Sequence, residues 1–229
     1  MDRADARGEN PAVHQRITSP AALLADPTRA AIVLALMDGR EREAKKLALD
    51  AGVTPQTASA HLRKLVDANL LAFHTDGRCK YFRIAGAEVA HAVEALCELG
   101  MRSQPERPLP AAVRPLRFAR CCYDHLAGQL GVAITERLPR LAPAIYTELE
   151  IDVAALEAQR RPFSRCCVDW TERRPHIAGS LGAALLSAYQ ASGWLERTAE
   201  SRRLAVTLRG RQKFAELFGL DAAFFSGAE

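Results

Sequence analysis

The sequence contains no run approaching the roughly eighteen consecutive apolar residues that a membrane helix needs, so no membrane-spanning segment and no membrane partner are expected. Its first residues, MDRADARGENPAVHQR, lack the apolar stretch of a secretory signal, which makes a cytoplasmic location the expectation. No glycine-rich phosphate-binding motif and no recognisable nucleophile arrangement occurs, so the chain does not read as an enzyme. Neither sign of charge dominates. The 31 Lys and Arg against 27 Asp and Glu leave a net charge of +4, a balance that permits an acidic partner without demanding one.

What is present is a globular composition. With 229 residues, 48% apolar and 25% charged, the chain can build one large domain or two of ordinary size. Its six cysteines, Cys79, Cys97, Cys121, Cys122, Cys166 and Cys167, read in a reducing compartment as free thiols, metal ligands or redox sensors rather than structural disulfides.

Residues 1–17 are polar and without periodicity, as in an arm with no core to join. Ser19-Pro20 and Asp26-Pro27 each put a capping side chain before a proline, which is tolerated in the first helical turn. Two helices therefore start there, the second running from Pro27 to about Asp38 and stopping at Gly39. A short helix from Arg42 to Ala51 follows, and Thr54-Pro55 opens another that reaches about Ala68. The turn Gly52-Val53-Thr54-Pro55 between them makes a helix-turn-helix. Leu70 to Phe73 and Lys80 to Ile84 read as strands about the turn Thr75-Asp76-Gly77-Arg78, a wing. A helix from Ala87 to about Met101 carries Val89, Val93, Leu96 and Leu99 on one stripe, and Pro105, Pro108 and Pro110 then mark a boundary.

The second half repeats these patterns. Gly193 to Arg197 aligns with Asn69 to Phe73, and Leu204 to Gly210 with Lys80 to Gly86, so residues 175–220 read as a second winged-helix-like unit. His125-Leu126-Ala127-Gly128-Gln129-Leu130-Gly131 is echoed by His176-Ile177-Ala178-Gly179-Ser180-Leu181-Gly182, and each follows a Cys-Cys-x-Asp sequence.

The second helix of a helix-turn-helix enters the major groove by its N-terminal turns. Here Gln56, Thr57 and Ser59 are short donor and acceptor groups suited to bases, while Ala58, Leu62, Leu65 and Val66 fall at core spacing. His61, Arg63 and Lys64, with Arg78, Lys80 and Arg83 of the wing, suit the phosphate backbone, and Thr54 at the cap is a further candidate DNA-binding residue. Residues 54–83 hold five Lys or Arg against Asp67 and Asp76, an excess that an ordinary solvated face could also show.

Leu24-Ala25-Asp26-Pro27-Thr28-Arg29, then Leu47-Ala48 with Gly52 to Leu62, then Ala68-Asn69-Leu70-Leu71 and the wing Gly77 to Arg83 together resemble the arsenic-repressor (ArsR/SmtB) family of winged-helix regulators. The resemblance covers about residues 20 to 100. It implies a homodimer, joined through the first helix and the helix after the wing, that binds duplex operator DNA and represses until an inducer lowers its affinity. The C-terminal half resembles an extension carried by longer members. Many metal-sensing members carry Cys-x-Cys before the recognition helix, whereas Arg42 to Ala48 contains no cysteine, so that site cannot be carried over.

Thiols are concentrated elsewhere. Cys121, Cys122 and His125, with Cys166, Cys167 and His176, form a candidate metal or thiol sensor. On a helix, Cys122 and His125 would point to one side, and Cys167 with His176 would complete a tetrahedral Cys2His2 zinc site. Soft thiolates also suit Cd(II), Cu(I), Hg(II) or trivalent arsenic. Arg120 and Arg165 beside the pairs would favour thiolate in a redox switch. Against these stands the ordinary reading of buried cysteine as a small apolar residue and of each histidine as a cap or buried hydrogen-bonding group. Phe118, Tyr123, Phe163, Trp170 and Trp194 read as core.

The expected fold is thus mainly α with small β-hairpin wings (α+β). Its parts are an arm (1–17), a winged helix-turn-helix for DNA binding and dimerisation (18–103), a linker (104–114) and a helical sensor domain (115–229) ending in a second winged-helix-like unit. The expected function is a homodimeric repressor released by a metal, a metalloid, a thiol-reactive compound or a small apolar ligand. The alternative is a thiol- or metal-binding protein, or a metalloenzyme, that keeps the winged fold without acting on DNA.

Overall fold

The computed structural model describes residues 19–102, 114–199 and 202–226. The expected arm, and the expected linker apart from Arg114, lie outside them. The chain divides into two compact units between Val89 and Ala90. Its architecture is mainly helical with small antiparallel hairpins, and among the described residues no helix is long and apolar enough to cross a membrane.

In the first unit, α1 (residues 19–24) precedes α2 (Pro27–Ala35), whose N-cap Asp26 accepts a hydrogen bond from the Arg29 amide at 2.9 Å. This helix ends three residues before the expected Asp38. Asp38 is instead fully buried and clamped by Arg40 and Arg42, each at 2.8 Å, which neutralise a carboxylate that burial alone would penalise. The expected helix from Arg42 to Ala51 needs correction at its start. Arg42–Glu43 forms strand β1, paired with Phe82 and Tyr81, and only Ala44–Asp50 is helical (α3). Tyr81 donates to the Glu43 carboxylate at 3.0 Å, a cross-strand bond that helical periodicity could not reveal.

Helix α4 (Pro55–Asp67) is capped by Thr54, which accepts from the Thr57 amide, and buries Ala58, Leu62 and Leu65. The wing consists of β2 (Leu71–Asp76) and β3 (Cys79–Ile84), longer strands than expected, joined by the two-residue turn Gly77-Arg78. The three strands form one sheet in the order β1-β3-β2. Ile32, Leu36, Leu47, Leu62, Leu65, Leu71 and Ile84 are among the residues of its core. Helix α5 (Ala87–Arg102) spans the division between the units.

The second unit contains the same construction twice. Strands β4 (Arg120–Cys122) and β5 (His125–Ala127) form a hairpin that runs into α6 (Gln129–Glu148). After the short α7 (Val153–Glu157), β6 (Arg165–Val168) and β7 (Pro175–Ala178) form a second hairpin that runs into α8 (Gly179–Ala191). At each strand-to-helix corner a glycine holds a positive φ, +87° at Gly128 and +88° at Gly179. A side chain there would also meet backbone carbonyls of Arg117 and Phe118, or of Pro162 and Phe163, at 2.6–2.8 Å. Those carbonyls accept the first amides of each helix, from Gln129 and Leu130 or from Ser180 and Leu181. The duplication is therefore one of backbone hydrogen bonding as well as of sequence.

Helix α8 continues into β8 (Leu195–Arg197), β9 (Leu204–Val206), α9 (Leu208–Phe218) and α10 (Ala222–Phe225), the helix-hairpin-helix order of a winged unit. Trp194 and Phe118 belong to its core with Tyr189 and Phe214, whereas Tyr123, Phe163 and Trp170 are only half-buried.

Candidate nucleic-acid interface and metal centre

Gln56, Thr57 and Ser59 are exposed on the first turns of α4, opposite buried Ala58, Leu62 and Leu65. The hydroxyls keep their order locally: Thr57 lies 2.9 Å from the capping Thr54 hydroxyl, and Ser59 donates to the Pro55 carbonyl at 2.8 Å. Arg63, Lys64, Arg78, Lys80 and Arg83 are exposed. Lys80 sits over the Phe73 ring at 4.8 Å and Arg83 lies 3.4 Å from Glu41. His61 differs from its neighbours, being half-buried with Nδ1 3.5 Å from Arg29 and 3.8 Å from Asp26.

In the second unit Cys122, His125, Cys167 and His176 each direct one ligand atom to a common point, all within 4.8 Å of one another, and all four are buried. They reach it from two hairpins, so that Cys122 and His125 stand on facing strands and not on one side of a helix as expected. Cys122 is the cross-strand partner of His125, and Cys167 of His176. Side chains at facing positions of a two-stranded ribbon point to the same side, so each hairpin delivers one thiol and one imidazole together. Cys121 and Cys166 alternate to the other face. The buried Cys121 thiol donates to the Tyr123 carbonyl at 3.0 Å, and Cys166 is exposed; neither joins the cluster.

The two imidazoles stack with centroids 5.0 Å apart and Nε2 atoms separated by 3.2 Å. Two nitrogens that close can share at most one proton. Burial opposes the His125 cation, but hydrogen bonds to Asp124 and Cys122, with the Glu94 charge, outweigh it and hold its pKa up at about 9. Burial and then the His125 charge drive His176 down to about 3. The Cys122 thiol lies well above its usual range because it is hydrogen-bonded to Cys167 and buried.

Each ring turns its outer nitrogen towards a carboxylate, as metal-bound histidines do. His125 Nδ1 is 3.3 Å from Asp124, which Arg161 holds at 2.7 Å, and His176 Nδ1 is 3.9 Å from Asp169. Asp169 is fully buried and accepts from Arg120 at 2.8 Å, the Gly128 amide at 2.6 Å and the Thr171 hydroxyl at 2.7 Å. Burial raises its pKa, yet Arg120 and the other donors hold it below the carboxylate range. Asp124 thus orients His125, while Asp169 ties one hairpin to the other through Arg120 and the Gly128 amide. Arg120 serves Asp169 rather than a thiol, which corrects the expectation that it favours thiolate.

Residues 24–72 match the helix-turn-helix domain family. Over 218 residues the chain is 36% identical to the uncharacterized HTH-type transcriptional regulator YdfF of Bacillus subtilis (strain 168), covering 88% of this chain and 96% of that one. The chain belongs to the family of HTH-type transcriptional regulators that this relative represents. It is a regulator with a DNA-binding helix-turn-helix and not an enzyme, so the metalloenzyme alternative falls. Among solved structures, it is similar to the homodimeric winged helix-turn-helix DNA-binding domain of Mb0332 from Mycobacterium bovis, a possible ArsR-family regulator. The identity is 25% and the TM-score 0.40, over 47% of this chain and 98% of that one. The cadmium sensor CmtR of Mycobacterium tuberculosis is 29% identical with a TM-score of 0.33, over 42% of this chain and 98% of that one.

The regulator's site contains one group that the sequence reading passed over. Glu94 of α5, in the second unit, accepts from the Cys122 thiol at 3.0 Å and from the Cys167 thiol at 3.4 Å, with Arg165 at 3.2 Å on its outer side. A signal was available. Glu94 lies between Ala90, Val93 and Cys97 on the buried stripe of α5, where an acid requires partners.

Proposed function

We propose that the regulator binds duplex operator DNA as a homodimer and that an ion held by Cys122, His125, Cys167 and His176 controls that binding. Gln56, Thr57 and Ser59 read bases, while Thr54, Arg63, Lys64, Arg78, Lys80 and Arg83 hold phosphates. His61, midway along α4, packs against the start of α2 through Arg29 and Asp26 instead of reaching far into solvent. The residues 18–103 act as the DNA-binding and dimerising part, with 115–229 as the sensor, and the protein works in the cytoplasm where its operator lies.

The observation that carries the sensing role is the convergence of two thiols and two imidazoles on one buried point. Zinc or a softer divalent ion suits such a donor set. Cys121 and Cys166 stand outside the liganding group. Dimerisation is supported by Leu96 and Leu99 of α5, which are 46% and 61% exposed in the single chain. A stripe of this kind gains by pairing with its two-fold copy.

The test is a titration against DNA selected from a random pool. Arg63→Ala should weaken binding to every sequence and lower the salt slope by about one, whereas Gln56→Ala should relax preference at particular bases by about 1–3 kcal/mol. Zinc or cadmium should change the affinity of the wild type and leave a Cys122→Ser, Cys167→Ser double variant unaffected. Equal responses in both proteins would remove the cluster from the sensing mechanism.

A further inference from the structure

We propose that Glu94 is a fifth donor to this centre, so that a divalent ion is held by helix α5 as well as by the two hairpins. The inference rests on the metal reading of the Cys2His2 cluster and extends its ligand set.

Distances support it first. Glu94 Oε1 lies 3.0 Å from Cys122 Sγ and 4.0 Å from His125 Nε2, and Oε2 lies 3.4 Å from Cys167 Sγ. With metal–sulfur bonds of about 2.3 Å and metal–oxygen bonds of about 2.1 Å, donors sharing an ion stand about 3.1–3.6 Å apart at angles between square and tetrahedral. An oxygen and a nitrogen on opposite sides of the ion stand about 4 Å apart. The Glu94 carboxylate therefore sets one oxygen beside Cys122 and about opposite His125, and its other oxygen beside Cys167.

Burial and charge support it independently. The Glu94 side chain is 7% exposed, and its inner partners are the two thiols. When two sulfur–metal bonds form, the thiol protons pass to solvent and Glu94 loses both hydrogen-bond donors. It would then face two thiolates in the interior, an arrangement of like charges that direct contact of the carboxylate with the cation relieves. The balance closes for a divalent ion: two thiolates and Glu94 supply three negative charges, and the ion with Arg165 supplies three positive ones. A monovalent ion leaves one negative charge uncompensated. Since α5 begins at Ala87, shortly after β3 ends at Ile84, a bond to Glu94 attaches the ion to the helix that continues directly from the wing.

Cobalt(II), added to the reduced full-length protein without oxygen, reads the donor set. The wild type should show a thiolate-to-cobalt charge-transfer band with the weak visible bands of five-coordination. Glu94→Gln should keep the charge-transfer band, gain the stronger visible bands of a tetrahedral ion and bind cobalt about tenfold more weakly. An unchanged Glu94→Gln spectrum overturns the role of Glu94 and leaves the Cys2His2 reading standing. Absence of the charge-transfer band in the wild type, or its survival in the Cys122→Ser, Cys167→Ser variant, overturns both. X-ray absorption on the zinc-loaded wild type needs no folded variant: two sulfur and three nitrogen or oxygen neighbours support the proposal, and a shell of four overturns it.

Discussion

Cys166 and Cys167 are adjacent in sequence and opposite in environment. Strand alternation sends the first to solvent, where it is exposed, and the second to the buried cluster. Chemical equivalence on paper therefore does not carry over to function. Cys167→Ser should lower zinc affinity by more than about tenfold in a chelator competition, because it deletes one of the proposed donors. Cys166→Ser should leave that affinity at the wild-type value. A matching loss in both would mean that the two thiols act together and that the hairpin register is not what separates them.

Elements are fixed here by their ends. Asp26 opens α2, and the Arg29 amide it accepts from holds its carboxyl below the usual carboxylate range. A group with a depressed folded pKa contributes stability above its unfolded pKa and loses it as pH falls through the folded value. Asp26→Ala should accordingly melt lower than the wild type at neutral pH, and the gap should narrow at pH values below the ordinary carboxylate range. Thermal melts of the pair across pH measure it.

Gly128 opens α6 with φ 87° and ψ −171°, a region that is essentially glycine's alone. Gly128→Ala should cost more than about 1–3 kcal/mol, since the strain is joined by contact with the Arg117 and Phe118 carbonyls at 2.6 and 2.7 Å. Denaturant unfolding would show this as a lower midpoint. An unchanged midpoint would mean that the corner relaxes freely.

At the scale of the molecule, the exposed leucines of α5 bear on assembly. Leu99, 61% exposed in the single chain, should tolerate Leu99→Glu in the monomer, while the charge would be buried in a dimer that pairs through this helix. Sedimentation should then find a monomer, and DNA affinity should fall because two half-sites about one turn apart are no longer read together. A dimer that persists in Leu99→Glu would move the interface away from this face of α5.

The first unit was largely legible in the sequence because its signals are local. Asp26-Pro27 and Thr54-Pro55 mark helix starts through groups a few residues apart, and the apolar spacing of Ala58, Leu62 and Leu65 identifies the buried side of α4. Strand β1 escaped because two residues have no period and their partners, Tyr81 and Phe82, are distant in the chain. Cys121, Cys122, His125, Cys166, Cys167 and His176 were visible as candidates, yet spacing alone put Cys122 and His125 on a helix. The cross-strand register, not a helix face, is what joins Cys122 to His125 and Cys167 to His176 and turns Cys121 and Cys166 away. Only the packing of two hairpins brought His125 to His176 across 51 residues and set Glu94 against both thiols. Caps and periodicity are properties of neighbouring residues, which a sequence contains. A shared donor point belongs to surfaces that meet after folding, and tertiary structure decides it.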